Sequence, residues 1–252
     1  MKEVIQRINT YIKKGYIPGG DDEVFCGFNR TYFSTNEYIK ELYETLDNYT
    51  IVAANYQTNG KGRMTRVWHS TAGENILMSI LIKEFNNQSD LNLLSLVTGV
   101  AVHKFLSKYL NNLYIKWPND VLVDNKKICG ILLEGKMNNN SKMVVIGIGI
   151  NINQTNFDDE INLLTTSLKK ELNINFDIDL LIEELSNILV KEIDEYLNGN
   201  IAYIEYIRSN LFGINKLIEF TRNDVLCEGI ILDIHTDGRL IVKEKDQILY
   251  VN

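Results

Sequence analysis

Three cations fall within the seven residues Gly60-Lys61-Gly62-Arg63-Met64-Thr65-Arg66, interleaved with two glycines. Glycine lets backbone amides approach a ligand with no Cβ in the way, so the stretch is suited to holding an anion. It lacks the Gly-Lys-Ser/Thr ending of a Walker loop and the spacing of a dinucleotide fingerprint. Its two readings are an anion cradle of another kind and a solvated basic loop. Trp68, just beyond, either offers a flat face for stacking on a ring or packs over the sheet edge. Lys116 stands at the carboxyl end of Leu113-Tyr114-Ile115-Lys116-Trp117, before Pro118-Asn119-Asp120. A buried amine without a partner would cost several kcal/mol, so Lys116 should face solvent, an acid such as Asp120, or an anionic ligand. Gly147 and Gly149 alternate along one strand and leave one face bare for a flat ligand, an opening Gly130 would extend. The competing reading of Gly130 is a bulge or close helix packing. His69, His103 and His235 have no metal-ligand spacing and no orienting acid, which leaves zinc or triad hydrolysis without support.

The elements that must carry these residues follow from periodicity. Ser34 with Glu37 three residues on reads as a capping box opening a helix from Ser34 to about Leu46, with Ile39, Leu42 and Leu46 along one side. Strands are expected at 50–55 and 75–82, and a helix over roughly 91–110 with Leu93, Leu94, Val97, Val100, Ala101 and Phe105 at helical spacing. The glycine-rich, cationic 57–73 stretch has no apolar period and reads as a surface loop. Residues 113–117, 120–123, 127–134 and 143–152 are β-rich runs broken by turn residues, which predicts a meander. Polar residues 153–178 lead to helices near 179–197 and 200–211. From 215 onward four short strand patterns, with Asp237-Gly238 as a hairpin turn, predict a small barrel. The switch from helical to strand periodicity divides the chain into 1–212, opening with a short helical extension over 1–24, and 213–252.

The chain has 252 residues, 45% hydrophobic and 23% charged, which describes a globular protein and excludes disordered and fibrous classes. Its 33 acids against 26 bases give a net charge of −7, and no arm concentrates the bases, so binding along a nucleic-acid backbone is not expected. Cys26, Cys129 and Cys227 lack paired spacing, which fits a reducing compartment. Neither an apolar signal core nor a run of the roughly 20 apolar residues needed to span a bilayer is present, so we expect a cytoplasmic protein without membrane contact.

Taken in order, STNEY at 34–38, YQTNGKGRMTRVWHS at 56–70, KWPNDVLV at 116–123, KICGILLEG at 127–135 and IGIGININ ending at Asn153 resemble the biotin protein ligases. The resemblance covers roughly residues 30–155. It implies an α+β fold, a mixed β-sheet flanked by helices as in class II synthetases and biotin ligases, followed by a small C-terminal SH3-like β-barrel. The implied reaction has two steps. Biotin and MgATP give biotinyl-5′-AMP and pyrophosphate, then a lysine of a biotin carboxyl-carrier protein domain attacks the mixed anhydride. No covalent enzyme intermediate is required.

By position in those motifs, Ser34, Thr35, Asn36, Gln57 and Gly60 match biotin contacts, with Gly130 and Gly149 lining the same pocket. Arg63 matches the arginine that orders the loop over the acyl-adenylate, and Lys116 the strand lysine that bridges the biotin carboxylate and the α-phosphate. These two carry the implied catalytic roles. Lys61, Gly62, Arg63, Arg66, Trp68, Asn119, Asp120 and Asn151 match the ATP side, with Trp68 on adenine and Asp120 a candidate Mg2+ ligand. Lys61, Met64 and Thr65 depart from the family's usual arginines and glycine, and a lysine lacks the guanidinium fork. The resemblance admits a homodimer. Without a helix-turn-helix before the core, repressor function is not expected. Lipoate or octanoate attachment and a non-catalytic biotin sensor are the alternative readings.

Overall fold

The computed structural model describes residues 25–26, 31–64, 66–85, 88–138, 141–222 and 225–251. The helical extension expected over 1–24 lies outside them, as does Thr65. Along the chain come β1 (Phe25–Cys26), β2 (Thr31–Tyr32), α1 (Thr35–Leu42), β3 (Ile51–Ala54), β4 (Tyr56–Gln57), β5 (Asn75–Ile82), α2 (Gln88–Leu106), β6 (Leu113–Lys116), β7 (Asp120–Val123), β8 (Lys126–Asn138) and β9 (Ser141–Asn151). Then follow α3 (Asp159–Asn162), α4 (Leu168–Leu172), α5 (Ile178–Leu197), α6 (Ala202–Asn210), β10 (Leu217–Arg222), β11 (Val225–Ile234), β12 (Leu240–Glu244) and β13 (Gln247–Val251).

Seven of the strands form a mixed sheet in the order β1-β3-β5-β9-β8-β7-β6, with β1 parallel to β3 and the remaining pairs antiparallel. The predicted meander is β6-β7-β8-β9. Alternation along β9 sends Val144, Ile146, Ile148 and Ile150 into the large core shared with α2 and α5. Met143 and Val145 face the other way, into a smaller cluster with Ile39 of α1 and Leu81. Helices thus cover both faces, and beyond Val145 the α1 face continues as Gly147, Gly149 and Asn151.

Register carries this face across the sheet. Leu77 pairs with Gly149, Gly149 with Gly130, Gly130 with Asp120 and Asp120 with Lys116, one cross-strand row over five strands. Directly paired residues in antiparallel strands share a face, so the row presents two bare glycines between Leu77 and Asp120.

Several expectations change. Helix α1 ends at Leu42, and Ser34 at its N-cap makes no side-chain capping bond. The capping box fails because the Glu37 carboxylate is drawn to lysines instead. Two short helices, α3 and α4, occupy the polar 153–178 segment, and β2 with β4 forms a small parallel ladder that short-range patterning does not reveal. The C-terminal strands pair as β10-β11-β12-β13 with Gly238 at φ +87° in the hairpin turn, a sheet compatible with an SH3-like unit. Among the described residues no pairing of β10 with β13 closes it into a barrel. Ile231, Ile234, Leu240 and Val242 of this unit belong to the same continuous core as the main sheet. The Trp117 indole N–H also donates to the carbonyl of Gly238 at 2.9 Å, which ties the hairpin to the turn after β6. No helix among the described residues is long and apolar enough to cross a membrane.

His103 serves this scaffold rather than the chemistry. It is buried on α2, with Nε2 3.2 Å from the Leu113 carbonyl and Nδ1 2.9 Å from the Tyr206 hydroxyl. A carbonyl can only accept, so Nε2 carries a hydrogen. Burial lowers its pKa, against a smaller opposing effect of the Leu113 bond. The unfolded chain therefore takes up a proton before the folded one does, and this contribution to stability is lost as pH falls from about 6.5 toward the lowered folded value. Urea midpoints measured from pH 7.5 to 5 should fall more steeply for the wild type than for His103→Gln; parallel curves would remove His103 as the cause.

Candidate active site

Against the glycine-bearing face lies a cavity of about 590 Å³. Its walls include every residue matched above to a biotin or ATP contact except Gly60, which is buried.

One end is a relay of short polar side chains. The Thr35 backbone N–H donates to Gln57 Oε1 at 2.8 Å, and Thr35 Oγ1 lies 2.6 Å from Ser79 Oγ. Ser79 Oγ donates to Asn36 Oδ1 at 2.6 Å, and Asn36 Nδ2 donates to Glu134 Oε2 at 2.8 Å. Thr35 Oγ1 also reaches Gln57 Oε1 at 3.2 Å, so its one hydrogen faces both Gln57 and Ser79. A Cβ on Gly147 would sit 2.5 Å from Asn36 Oδ1, so the glycine is what lets α1 bring this amide down onto the sheet. Ser79 and Glu134 had no signal in spacing; only register brings them beside Asn36.

The 57–73 loop is more ordered than its composition suggests. Trp68 N–H donates to Gly60 O at 2.9 Å and Gly62 N–H to Arg66 O at 2.7 Å, with a β-bridge between Lys61 and Val67. It is a hairpin whose tip carries Arg63 and Met64, the latter at φ +52°. From the tip Arg63 Nη1 donates to Asn119 Oδ1 at 3.2 Å, while Asn119 Nδ2 is fixed to the Ile131 carbonyl at 2.9 Å. At the stem Lys61 Nζ meets Glu37 Oε1 at 2.5 Å. Arg66 is exposed on the hairpin's return.

Trp68 takes the second of its two readings and packs against the sheet. A Cβ on Gly149 would lie 2.5 Å from its Cε2 and one on Gly130 2.9 Å from its Cζ3, so the indole rests on the glycine strip. The strip expected to receive a flat ligand thus receives this chain's own ring. Trp68 Nε1 is buried with no hydrogen-bond partner.

Lys116 lines the cavity from the outermost strand of the sheet and is exposed there. Of the partners left open for it, solvent is the one observed, and Asp120 is instead 2.7 Å from Lys127 Nζ. That contact is ionic, without hydrogen-bond alignment at Asp120 Oδ1. Lys127 Nζ lies 5.7 Å from the Trp68 ring centroid, and a Cβ on Gly130 would meet Lys127 Cε and Nζ at 3.1 Å. Lys127 is therefore the cation over the floor of the cavity. Sequence reasoning placed it at the start of the 127–134 strand run and gave it no role.

Asn151 is buried and donates to the Thr166 carbonyl at 3.0 Å, anchoring the segment that contributes Phe157, Ile161 and Leu164 to the far wall. No group of three or more potential metal ligands occurs among the described residues. Asp120 is a single carboxylate on this wall, with Lys127 as its cation.

The family model described as the biotin/lipoate A/B protein ligase family matches residues 28–151. The biotin–[acetyl-CoA-carboxylase] ligase of Mycobacterium tuberculosis is 30% identical over 198 residues, 75% of this chain and 71% of that one. The bifunctional ligase/repressor BirA of Bacillus subtilis is 31% identical over 204 residues, 79% of this chain. The match spans 63% of that relative's length. Among solved structures, the biotin protein ligase from Aquifex aeolicus in complex with biotin and ATP has a TM-score of 0.80 at 24% identity, covering 91% of this chain and 96% of that one, a likeness of fold.

Proposed function

Because this chain belongs to the biotin/lipoate A/B protein ligase family, we propose that it activates biotin with ATP and transfers it to a lysine of a biotin carboxyl-carrier domain. The observation that carries this reading is the placement of Arg63 and Lys127 on one cavity whose other end is the Ser34-Thr35-Asn36-Gln57 cluster. Hydroxyl and amide groups at that end pair with a ureido ring, and the cations at the other hold carboxylate and phosphate.

In the first step a biotin carboxylate oxygen attacks the α-phosphorus and pyrophosphate leaves. In the second the neutral amine of the carrier lysine attacks the acyl carbon and AMP leaves. Charge grows on the α-phosphoryl oxygens in the first, and Lys127 and Arg63 are donors already in place for it. A single such donor contributes on the order of 3 kcal/mol to the barrier. We give Lys127 the bridging role that resemblance implied for Lys116, and leave Lys116 as a rim cation that draws anions inward. Trp68 keeps one face for adenine, and Asn119 with Asp120 flanks the phosphates and their Mg2+. The free thiols of Cys129 and Cys227 agree with a cytoplasmic setting.

Exchange of labelled pyrophosphate into ATP tests the reading directly. Exchange dependent on biotin, and absent with lipoate or octanoate, is expected. Exchange with lipoate alone would make this a lipoate ligase, and biotin binding without exchange would make it a sensor.

A further inference from the structure

The proposed chemistry leaves Glu37 without a task, although it sits in the first turn of α1 beside Thr35 and Asn36. Its Oε1 is 2.5 Å from Lys61 Nζ and 2.8 Å from Lys40 Nζ, and Lys40 reaches Glu134 Oε1 at 2.8 Å. Glu134 in turn accepts from the buried amide of Asn36. Lys40 holds Glu37 from below, so Lys61 meets a carboxylate whose position is already set. The Glu37 carboxyl is held below its usual range, first by Lys40 and then by Lys61.

We propose that Glu37 is a positioning residue for the 60–68 hairpin, fixing its stem through Lys61 so that Arg63 at the tip lies over the cavity. The hairpin is then held on both banks, by Glu37 at the stem and Asn119 at the tip. Through Glu134 and Asn36 the stem contact is also continuous with the polar end of the cavity. A ligand that reorders Ser34, Thr35 or Asn36 thereby acts on the strap above the phosphates. What the strap retains, an acyl-adenylate, rests on the ligase reading; the latch itself does not.

The side chains of Glu37 and Lys61 are 25% and 41% exposed, so one contact of this kind shifts an equilibrium by a modest factor. In ligand-free protein, Glu37→Gln is expected to speed tryptic cleavage after Arg63 and Arg66 about threefold, with the thermal midpoint unchanged. Lys61→Gln should do the same, and the double variant should be no faster than either single one, since both remove one contact. Lys61→Arg keeps the charge and should restore the wild-type rate. In turnover, Glu37→Gln should raise the KM for ATP and the release rate of the adenylate about threefold while kcat changes less. Additive cleavage rates in the double variant, or a Glu37→Gln rate equal to wild type, would overturn the latch. Absence of biotin-dependent exchange in the wild type would sink the ligase reading and leave the cleavage result to stand on its own.

Discussion

Lys127→Ala is expected to lower biotin-dependent pyrophosphate exchange by about 10²–10³-fold, the loss associated with one preorganised donor at a centre of growing charge. The argument is positional. Lys127 Nζ lies over the glycine floor beside Asp120 and the Trp68 ring. Removing it also leaves the Asp120 carboxylate facing the phosphates without its counter-charge, so like charges would then oppose nucleotide binding. Lys116→Ala, one strand further out and exposed, should cost far less, no more than about tenfold, because an exposed cation acts mainly through steering and is screened by salt. The two variants assayed side by side with saturating biotin and ATP decide between the lysines. Near-full exchange in Lys127→Ala together with a collapse in Lys116→Ala would return the bridging role to Lys116.

Gly149→Ala should separate stability from activity in the opposite sense to most mutations. The added Cβ would lie 2.5 Å from Trp68 Cε2 and 2.9 Å from its Nε1, closer than any real contact. The strand backbone is locked between β5 and β8, so the indole must lift, and the hairpin carrying it must follow. Arg63 rides on that hairpin. A displacement of about 1 Å in such a group costs on the order of 10²-fold in rate, and that is the expected loss of exchange. Alanine reduces the freedom of the unfolded chain while the lifted indole gives up its packing on the strip, and since these oppose, the urea midpoint should change little. Normal activity with an unshifted tryptophan emission spectrum would show that the indole does not rest on the strip when it matters.

The strands were the most legible part of the sequence because burial on both faces leaves long apolar runs, and β5 and β7 begin and end where the patterning places them. Helix α5 was legible for the same reason at another period. The start of α1 misled, since Ser34 and Glu37 have the spacing of a reciprocal cap and the structure uses the glutamate for lysines twenty-four and three residues away. Local patterns cannot register a competitor that arrives through the fold. The hairpin at 60–68 hid for a related reason. Its two arms are too short and too polar to alternate, and its order comes from Arg63, Lys61 and Trp68 each finding a partner on another element. Lys127 was missed because it adjoins the Asp-Asn-Lys turn, whereas the approach of its side chain to the Gly130 position, with Nζ 3.1 Å from where a Cβ would stand, depends on the irregular pairing of β7 with β8.

The side chains of Ile231, Ile234, Leu240 and Val242 mingle with those of the large sheet instead of closing a core of their own. A change of periodicity near residue 212 is therefore not a seam along which the molecule comes apart. Heating should give a single calorimetric peak whose measured enthalpy equals the van't Hoff value, and two resolved peaks would show the last four strands melting alone.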